Sequence, residues 1–140
     1  MSCIVGSKKI IKMKKKKILI IEDESSTRKA MLEKFEREGF DALIASDGIR
    51  GLDQALESRP DIILLDIIMP NMDGITMLKK LRESDGWGKQ VPVILLTNLS
   101  SDDDGRKKEI EELEPIYYFV KTDWKLADIV EKVKDCLTEK

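Results

Sequence analysis

Glu22-Asp23, Asp66, Thr97 and Lys121 are the side chains with which this chain could do chemistry. Each follows or ends a short apolar run: Ile18–Ile21, Ile62–Leu65, Val91–Leu96 and Ile116–Val120 in turn. Three carboxylates brought together repel one another and require a neutralising cation. Oxygen donors without histidine or cysteine suit a hard ion that keeps much of its water, which is Mg²⁺. Thr97 adds a hydroxyl donor and Lys121 a mobile positive charge. Carboxylates, divalent ion, hydroxyl and ammonium together form a cradle for a phosphoryl group, with Asp66 as the oxygen nucleophile. Taken singly, each residue has a plainer role. An aspartate after a strand is most often a cap or turn residue, an acidic pair often complements a helix N-terminus, and a lone lysine is usually solvated. Matched positions at the ends of four separate strands turn the weight toward chemistry.

The elements that must position these groups alternate along the chain. The central stretch is 59–74, where Pro60 introduces a β-branched apolar run that reads as a strand buried on both faces. Asp66 ends it, and Pro70, Asn71, Asp73 and Gly74 turn the chain into a helix carrying Ile75, Leu78 and Leu81. Before it come a strand at Ile18–Ile21 and a helix capped by Ser25 or Ser26, with Ala30, Met31 and Phe35 inward and a stop at Gly39. An alternating edge strand at Phe40–Ala45 follows, then a helix capped by Asp47 with Ile49, Leu52, Ala55 and Leu56 inward. After it, Gly86-Trp87-Gly88 reads as an exposed loop and Val91–Leu96 as the fourth strand. A thinly apolar helix is predicted over about 102–113, with Ile110 and Leu113 as nearly all of its inward face. Ile116–Val120 is the fifth strand. Thr122 or Asp123 then caps a last helix, begun by Trp124, with Leu126, Ile129, Val130, Val133 and Leu137 at helical spacing. Five βα units imply an α/β fold: a doubly wound parallel sheet with helices on both faces. All carboxyl ends of a parallel sheet lie along one edge, where such sheets place their ligand sites.

Composition narrows the function further. The chain has 140 residues, enough for one domain with a real core. Its 25 basic and 27 acidic residues nearly cancel, so no global field points to nucleic acid or to a membrane surface. The Lys14–Lys17 run has no interleaved aromatic to stack on bases, and a solvated flank is the simpler reading. With no histidine, the commonest general base and the Ser-His and Cys-His nucleophile pairs are excluded. Cys3 and Cys136 form no spaced framework, which fits a reducing cytoplasm. No apolar run approaches the roughly 20 residues that span a bilayer. Residues 1–15 read as a short basic extension, with Met13 as an alternative start, and 16–140 as the folded domain. The chain ends with its last helix, so no output domain is expected to follow.

These motifs together resemble the response-regulator receiver domain of the chemotaxis-regulator type, over about 16–138. Ile-Leu-Ile-Ile-Glu-Asp-Glu resembles the family's first strand and acidic pair. Asp66-Ile-Ile-Met-Pro-Asn-Met-Asp-Gly74 resembles its phosphoacceptor loop, while Leu-Leu-Thr97 and Tyr118-Phe-Val-Lys121 resemble its hydroxyl and lysine motifs. The resemblance implies a flavodoxin-like five-stranded sheet of order 2-1-3-4-5 with five helices. It implies that Asp66 accepts a phosphoryl group from a phosphohistidine on a sensor histidine kinase or phosphotransfer protein. Asp23, Asp66 and the backbone carbonyl of Ile68 would hold Mg²⁺, with Glu22 bound through water. Thr97 and Lys121 would grip phosphoryl oxygens, and Tyr118 would be the aromatic switch. A downstream effector protein would read the change, with homodimerisation on phosphorylation as a further outcome and neither nucleic acid nor membrane as a direct partner.

The sequence departs from the family in places. Thr122-Asp123 follows the lysine where the family usually has proline, and Glu114-Pro115 replaces a common Gly-Ala pair. Ile68 and Leu99 are apolar where polar residues in relatives help position hydrolytic water, so slow autodephosphorylation is expected. Two other functions compete. A phosphatase of the haloacid-dehalogenase type would also use an Asp nucleophile, but it requires a second acid two residues later, where Ile68 stands. A degenerate receiver that binds partners without phosphorylation is disfavoured by the intact Glu22, Asp23, Asp66, Thr97 and Lys121.

Overall fold

The run from Ile62 to Leu65 has no polar side chain to offer to water, and it lies at the centre of a parallel sheet. The computed structural model describes residues 15–67, 69, 71–84, 86–97, 108, 112, 117–120 and 125–138, with Thr97 and 117–120 described by their backbone. Strands β1 (Lys17–Ile21), β2 (Asp41–Ala45), β3 (Ile62–Asp66), β4 (Val93–Thr97) and β5 (Tyr117–Val120) stand in the order β2-β1-β3-β4-β5. Every pairing is parallel. The helices are α1 (Ser25–Arg37), α2 (Gly48–Ser58), α3 (Gly74–Arg82), the short α4 (Gly86–Gln90) and α5 (Leu126–Thr138). This is the doubly wound sheet expected from the alternation of apolar runs, in the flavodoxin-like order that the family resemblance implies.

The two-residue period of the strands divides the core into two layers. Leu19, Ile21, Ile63, Leu65, Val93 and Leu95 face one side, where they meet Ala55 of α2 and Ile75, Leu78 and Leu81 of α3. Ile18, Ile20, Ile62, Leu64, Ile94 and Leu96 face the other, against Met31 and Phe35 of α1 and Ile129 and Val133 of α5. Phe35 and Phe40 meet edge to face at 5.3 Å and close the end of α1. The chain leaves that helix through Gly39 at φ 91°, as the glycine stop requires. Among the described residues no helix is long and apolar enough to cross a membrane.

Several local expectations change. Glu24 occupies the N-cap position of α1 and makes no capping bond through its side chain. Neither Ser25 nor Ser26 is the cap, because both already lie within the helix. Ala30 is exposed. In α2, Ile49 and Leu56 are 47% and 40% exposed, and the buried residues of the helix are Gly48, Gly51 and Ala55 instead. A Cβ on Gly51 would stand 2.6 Å from the Ile21 side chain, so the helix sits too close for a larger residue on that stripe. Gly86-Trp87-Gly88 is a turn of helix and not an open loop. Arg82 stabilises it by donating to the carbonyls of Gly88 and Val91 at 3.0 and 2.8 Å. Trp87 is half-buried, with the Arg59 guanidinium 5.7 Å above its ring.

Strand starts shift inward too. Phe40 donates its N–H to Phe35 and Val91 donates to Trp87, so each closes the preceding helix and is not the first strand residue. Of the helix predicted over 102–113, only Lys108 and Glu112 are described, both helical and exposed. Thr122, Asp123, Trp124 and the 114–115 pair lie outside the described residues.

Candidate functional site: an acidic cluster at the carboxyl edge of the sheet

The register of β1 on β3 pairs Ile21 with Leu65, so Glu22 and Asp66 leave the sheet side by side. Glu22 is 1% exposed and Asp66 3%, while Asp23 beside them is open to solvent. One carboxylate oxygen from each of the three lies within 4.8 Å of the others. Buried carboxylates are costly unless something compensates them. Part of that compensation is visible: a Glu22 oxygen accepts the N–H of Glu24 at 3.1 Å. Arg28, one helical turn along α1, donates through Nη1 to the carbonyls of Glu22 and Asp23 at 2.9 and 3.2 Å. It therefore fixes the backbone of the acidic turn. A set of oxygen donors, two of the three side chains buried and one facing water, fits a hard divalent cation that retains solvent.

The loop after Asp66 is held at its root. Ile67 donates its N–H to Leu96 at 3.1 Å, and Gly74 donates its own to Ile67 at 2.8 Å. The return is so close that a Cβ on Gly74 would stand 2.3 Å from the carbonyl oxygen of Asp66. Asn71 supplies the left-handed turn at φ 69°, a conformation asparagine tolerates better than most residues. Asp73 then caps α3 by accepting the N–H of Thr76 at 2.8 Å.

Asp47 is a predicted cap with an additional partner. Its carboxylate accepts the N–H of Arg50 at 2.8 Å and the side-chain amide of Asn71 at 3.2 Å. The backbone N–H of Arg50 first, then the Asn71 amide and the Arg50 charge, hold the carboxyl below its ordinary range against the opposing effect of burial. A carboxylate pKa depressed by folding adds stability that is present above the unfolded value, about 4, and is lost as pH falls through the folded value. Replacing Asp47 with alanine is therefore expected to cost about 1 kcal/mol at neutral pH. The difference from wild type should shrink toward the acid limb, which urea unfolding at several pH values measures. An equal loss at every pH would sever the link to this carboxyl.

Of the predicted site residues, the structure brings together Glu22, Asp23 and Asp66. The backbone of Thr97 stands at the same edge, one residue beyond Leu96, the partner of Asp66, and opposite Val120. Tyr118 pairs with Leu95 in the sheet, and its ring is not described. Ile68, Leu99 and Lys121 lie outside the described residues. Sequence reasoning missed the second role of Asp47 and the contribution of Arg28. Nothing in the spacing signals them: Asp47 meets Asn71 24 residues on, and Arg28 turns back to main-chain carbonyls, which carry no residue type to read.

Residues 18–134 match the family model described as response regulator receiver domain. The chain is 35% identical over 109 residues to sporulation initiation phosphotransferase F of Bacillus subtilis, covering 78% of this chain and 84% of that protein. It is 39% identical over 82 residues to the alkaline phosphatase synthesis transcriptional regulatory protein PhoP of the same organism. That match covers 59% of this chain, which spans only 33% of PhoP. Among solved structures, a CheY-like response regulator receiver domain protein from Methanospirillum hungatei superposes with a TM-score of 0.80 at 25% identity, over 90% of this chain and 96% of that one. A receiver domain of a Francisella response regulator gives a TM-score of 0.75 at 28% identity, over 86% and 94% of the two chains.

Proposed function

Because the chain belongs to the response-regulator receiver domain family of two-component signalling, we propose that it is a phosphorylation-dependent switch with Asp66 as the acceptor. The reading is carried by one observation: three carboxylates within 4.8 Å at the carboxyl ends of β1 and β3, with Asp66 buried among them. An Asp66 oxygen attacks the phosphorus of a phosphohistidine on a histidine kinase or phosphotransfer protein. The O–P bond forms as the P–N bond breaks, and the imidazole leaves with a proton. Asp23, Asp66 and the Ile68 carbonyl would hold Mg²⁺, with Glu22 acting through water, and the ion would supply neutralisation of the phosphoryl oxygens.

Thr97 and Lys121 bind the oxygens of the transferred group. The new charge draws them inward, and Tyr118 fills the space behind Thr97, which is a two-state packing change driven by a local charge. The surface that changes is the one formed by the predicted 102–113 helix, β5 and α5, and a downstream protein or a second copy of the chain reads it. The protein works in the cytoplasm and catalyses only its own aspartyl phosphorylation and dephosphorylation.

Intact mass after incubation with Mg²⁺ and acetyl phosphate tests this proposal. Wild type should gain one phosphoryl group, lose the ability on chelation of Mg²⁺, and Asp66→Asn should gain none. Failure of wild type with every donor and kinase tried would leave the family assignment standing and remove the switch. The same preparation tests the second expectation. With apolar residues at positions 68 and 99, where relatives carry polar ones, the phosphoryl group should persist well beyond seconds at room temperature, and a lifetime of only seconds would contradict it.

A further inference from the structure

The loop that follows Asp66 is held from outside as well as at its root. Asp47, the residue before α2, is 8% exposed, and both of its carboxylate oxygens are used. Oδ1 accepts the Arg50 N–H at 2.8 Å, which is all that capping a helix requires. Oδ2 accepts the Asn71 side-chain amide at 3.2 Å, 24 residues further along the chain and between Asp66 and α3. The Arg50 guanidinium lies 3.9 Å from the same oxygen and is otherwise largely in solvent. Beside this bond Gly48 touches Met72 so closely that a Cβ would stand 2.3 Å from the Met72 carbonyl oxygen. Two consecutive residues of the loop are thus seated on two consecutive residues at the start of α2.

We propose that Asp47 is a positioning residue for the acceptor site: through Asn71 it fastens the loop after Asp66 to the first turn of α2. The inference rests on the reading of Asp66 and its loop as the phosphoacceptor and Mg²⁺ site, and adds to it a residue from a different βα unit. Asp47 touches no reacting atom. Its effect is to reduce the number of conformations open to the loop, so that the oxygens used for metal and phosphoryl binding are arranged before either arrives. The buried carboxylate supplies a fixed partner, and the missing side chain of Gly48 lets the two segments meet.

Two substitutions separate this role from simple capping. Asp47→Ser keeps an oxygen for the Arg50 N–H but loses the one that reaches Asn71. Asn71→Gly keeps a residue suited to the left-handed turn but removes the amide. By titration calorimetry each should weaken Mg²⁺ binding about tenfold, the scale seen for residues that orient metal ligands from behind. Because both delete the same bond, the double variant should be no worse than the weaker single. In metal-free protein, hydrogen exchange at the Gly74 amide, which is bonded to Ile67, should quicken in both variants. If Mg²⁺ affinity and Gly74 exchange stay within about twofold of wild type while the urea midpoint falls, Asp47 is a cap alone and the inference fails. If wild type itself binds no Mg²⁺, the acceptor-site reading fails instead, and the Gly74 exchange rates still decide whether Asp47 holds the loop.

Discussion

Gly74→Ala is expected to destabilise the protein by about 3 kcal/mol, at the upper end of the cost of inserting one methyl group into a packed site. The added Cβ would meet the Asp66 carbonyl oxygen at 2.3 Å and the Ile67 Cα at 2.8 Å. Both are backbone atoms, so no side-chain rotation relieves the contact. Either the first turn of α3 moves outward and breaks the Gly74–Ile67 hydrogen bond, or the end of β3 moves and takes Asp66 with it. The second route displaces the proposed acceptor, and an error of 1 Å in a reacting group costs on the order of a hundredfold in rate. Urea unfolding should show the loss of stability, and the rate of mass gain from acetyl phosphate should fall far more than the folded fraction. Gly86→Ala is the control. Nothing lies within 4 Å of its added methyl, and its stability should stay within about 1 kcal/mol of wild type. Equal effects of the two substitutions would show that the approach of Gly74 to Asp66 does not matter.

How much of this was legible in the sequence depends on whether the signal was local. β3 is the clearest case. A strand covered on both faces reads as an unbroken apolar run, and only its end can be polar, which puts Asp66 at the edge from the sequence alone. Asp47 as a cap was legible because a cap acts within three residues. The inward face of α2 was not. Hydrophobic periodicity gives weight to large residues and selects Ile49 and Leu56, yet the helix makes its close approaches through Gly51, against Ile21 of the sheet, and Gly48, against Met72, and neither glycine carries a hydrophobic signal. The same blindness turned Gly86-Trp87-Gly88 into a loop. A Cβ on Gly88 would stand 2.4 Å from the Leu81 carbonyl oxygen, so that glycine serves close packing and not flexibility. At the site, Glu22, Asp23 and Asp66 could be brought together only by first inferring a parallel sheet. The bond from Asp47 to Asn71 could not be inferred even then, because it depends on the path of a loop whose turn is set by one left-handed residue.

The acidic cluster also predicts a reversal of stability order that depends on the metal. In wild type without Mg²⁺, three carboxylates face one another within 4.8 Å. A pair of unit charges at that separation repels by roughly 3 kcal/mol at an effective dielectric of 20, and solvent on the Asp23 side reduces the net effect. Asp66→Asn removes one of the three charges with little change in shape. In chelator its unfolding free energy should therefore exceed that of wild type by about 1–2 kcal/mol. Saturating Mg²⁺ reverses the order. A ligand at about a hundred times its dissociation constant stabilises the folded state by about 2.7 kcal/mol, and the variant, lacking one of the charges that binds the ion, should gain much less. Thermal melts of both proteins, with chelator and with excess Mg²⁺, read the crossing as differences of several degrees. If wild type is the more stable protein under both conditions, and its midpoint does not move with Mg²⁺, then the close approach of Glu22, Asp23 and Asp66 is not a cation site. A crossing in the expected direction would show more than binding. It would show that the native chain keeps its acceptor edge under electrostatic strain, and that the same strain draws in the ion on which phosphoryl transfer depends.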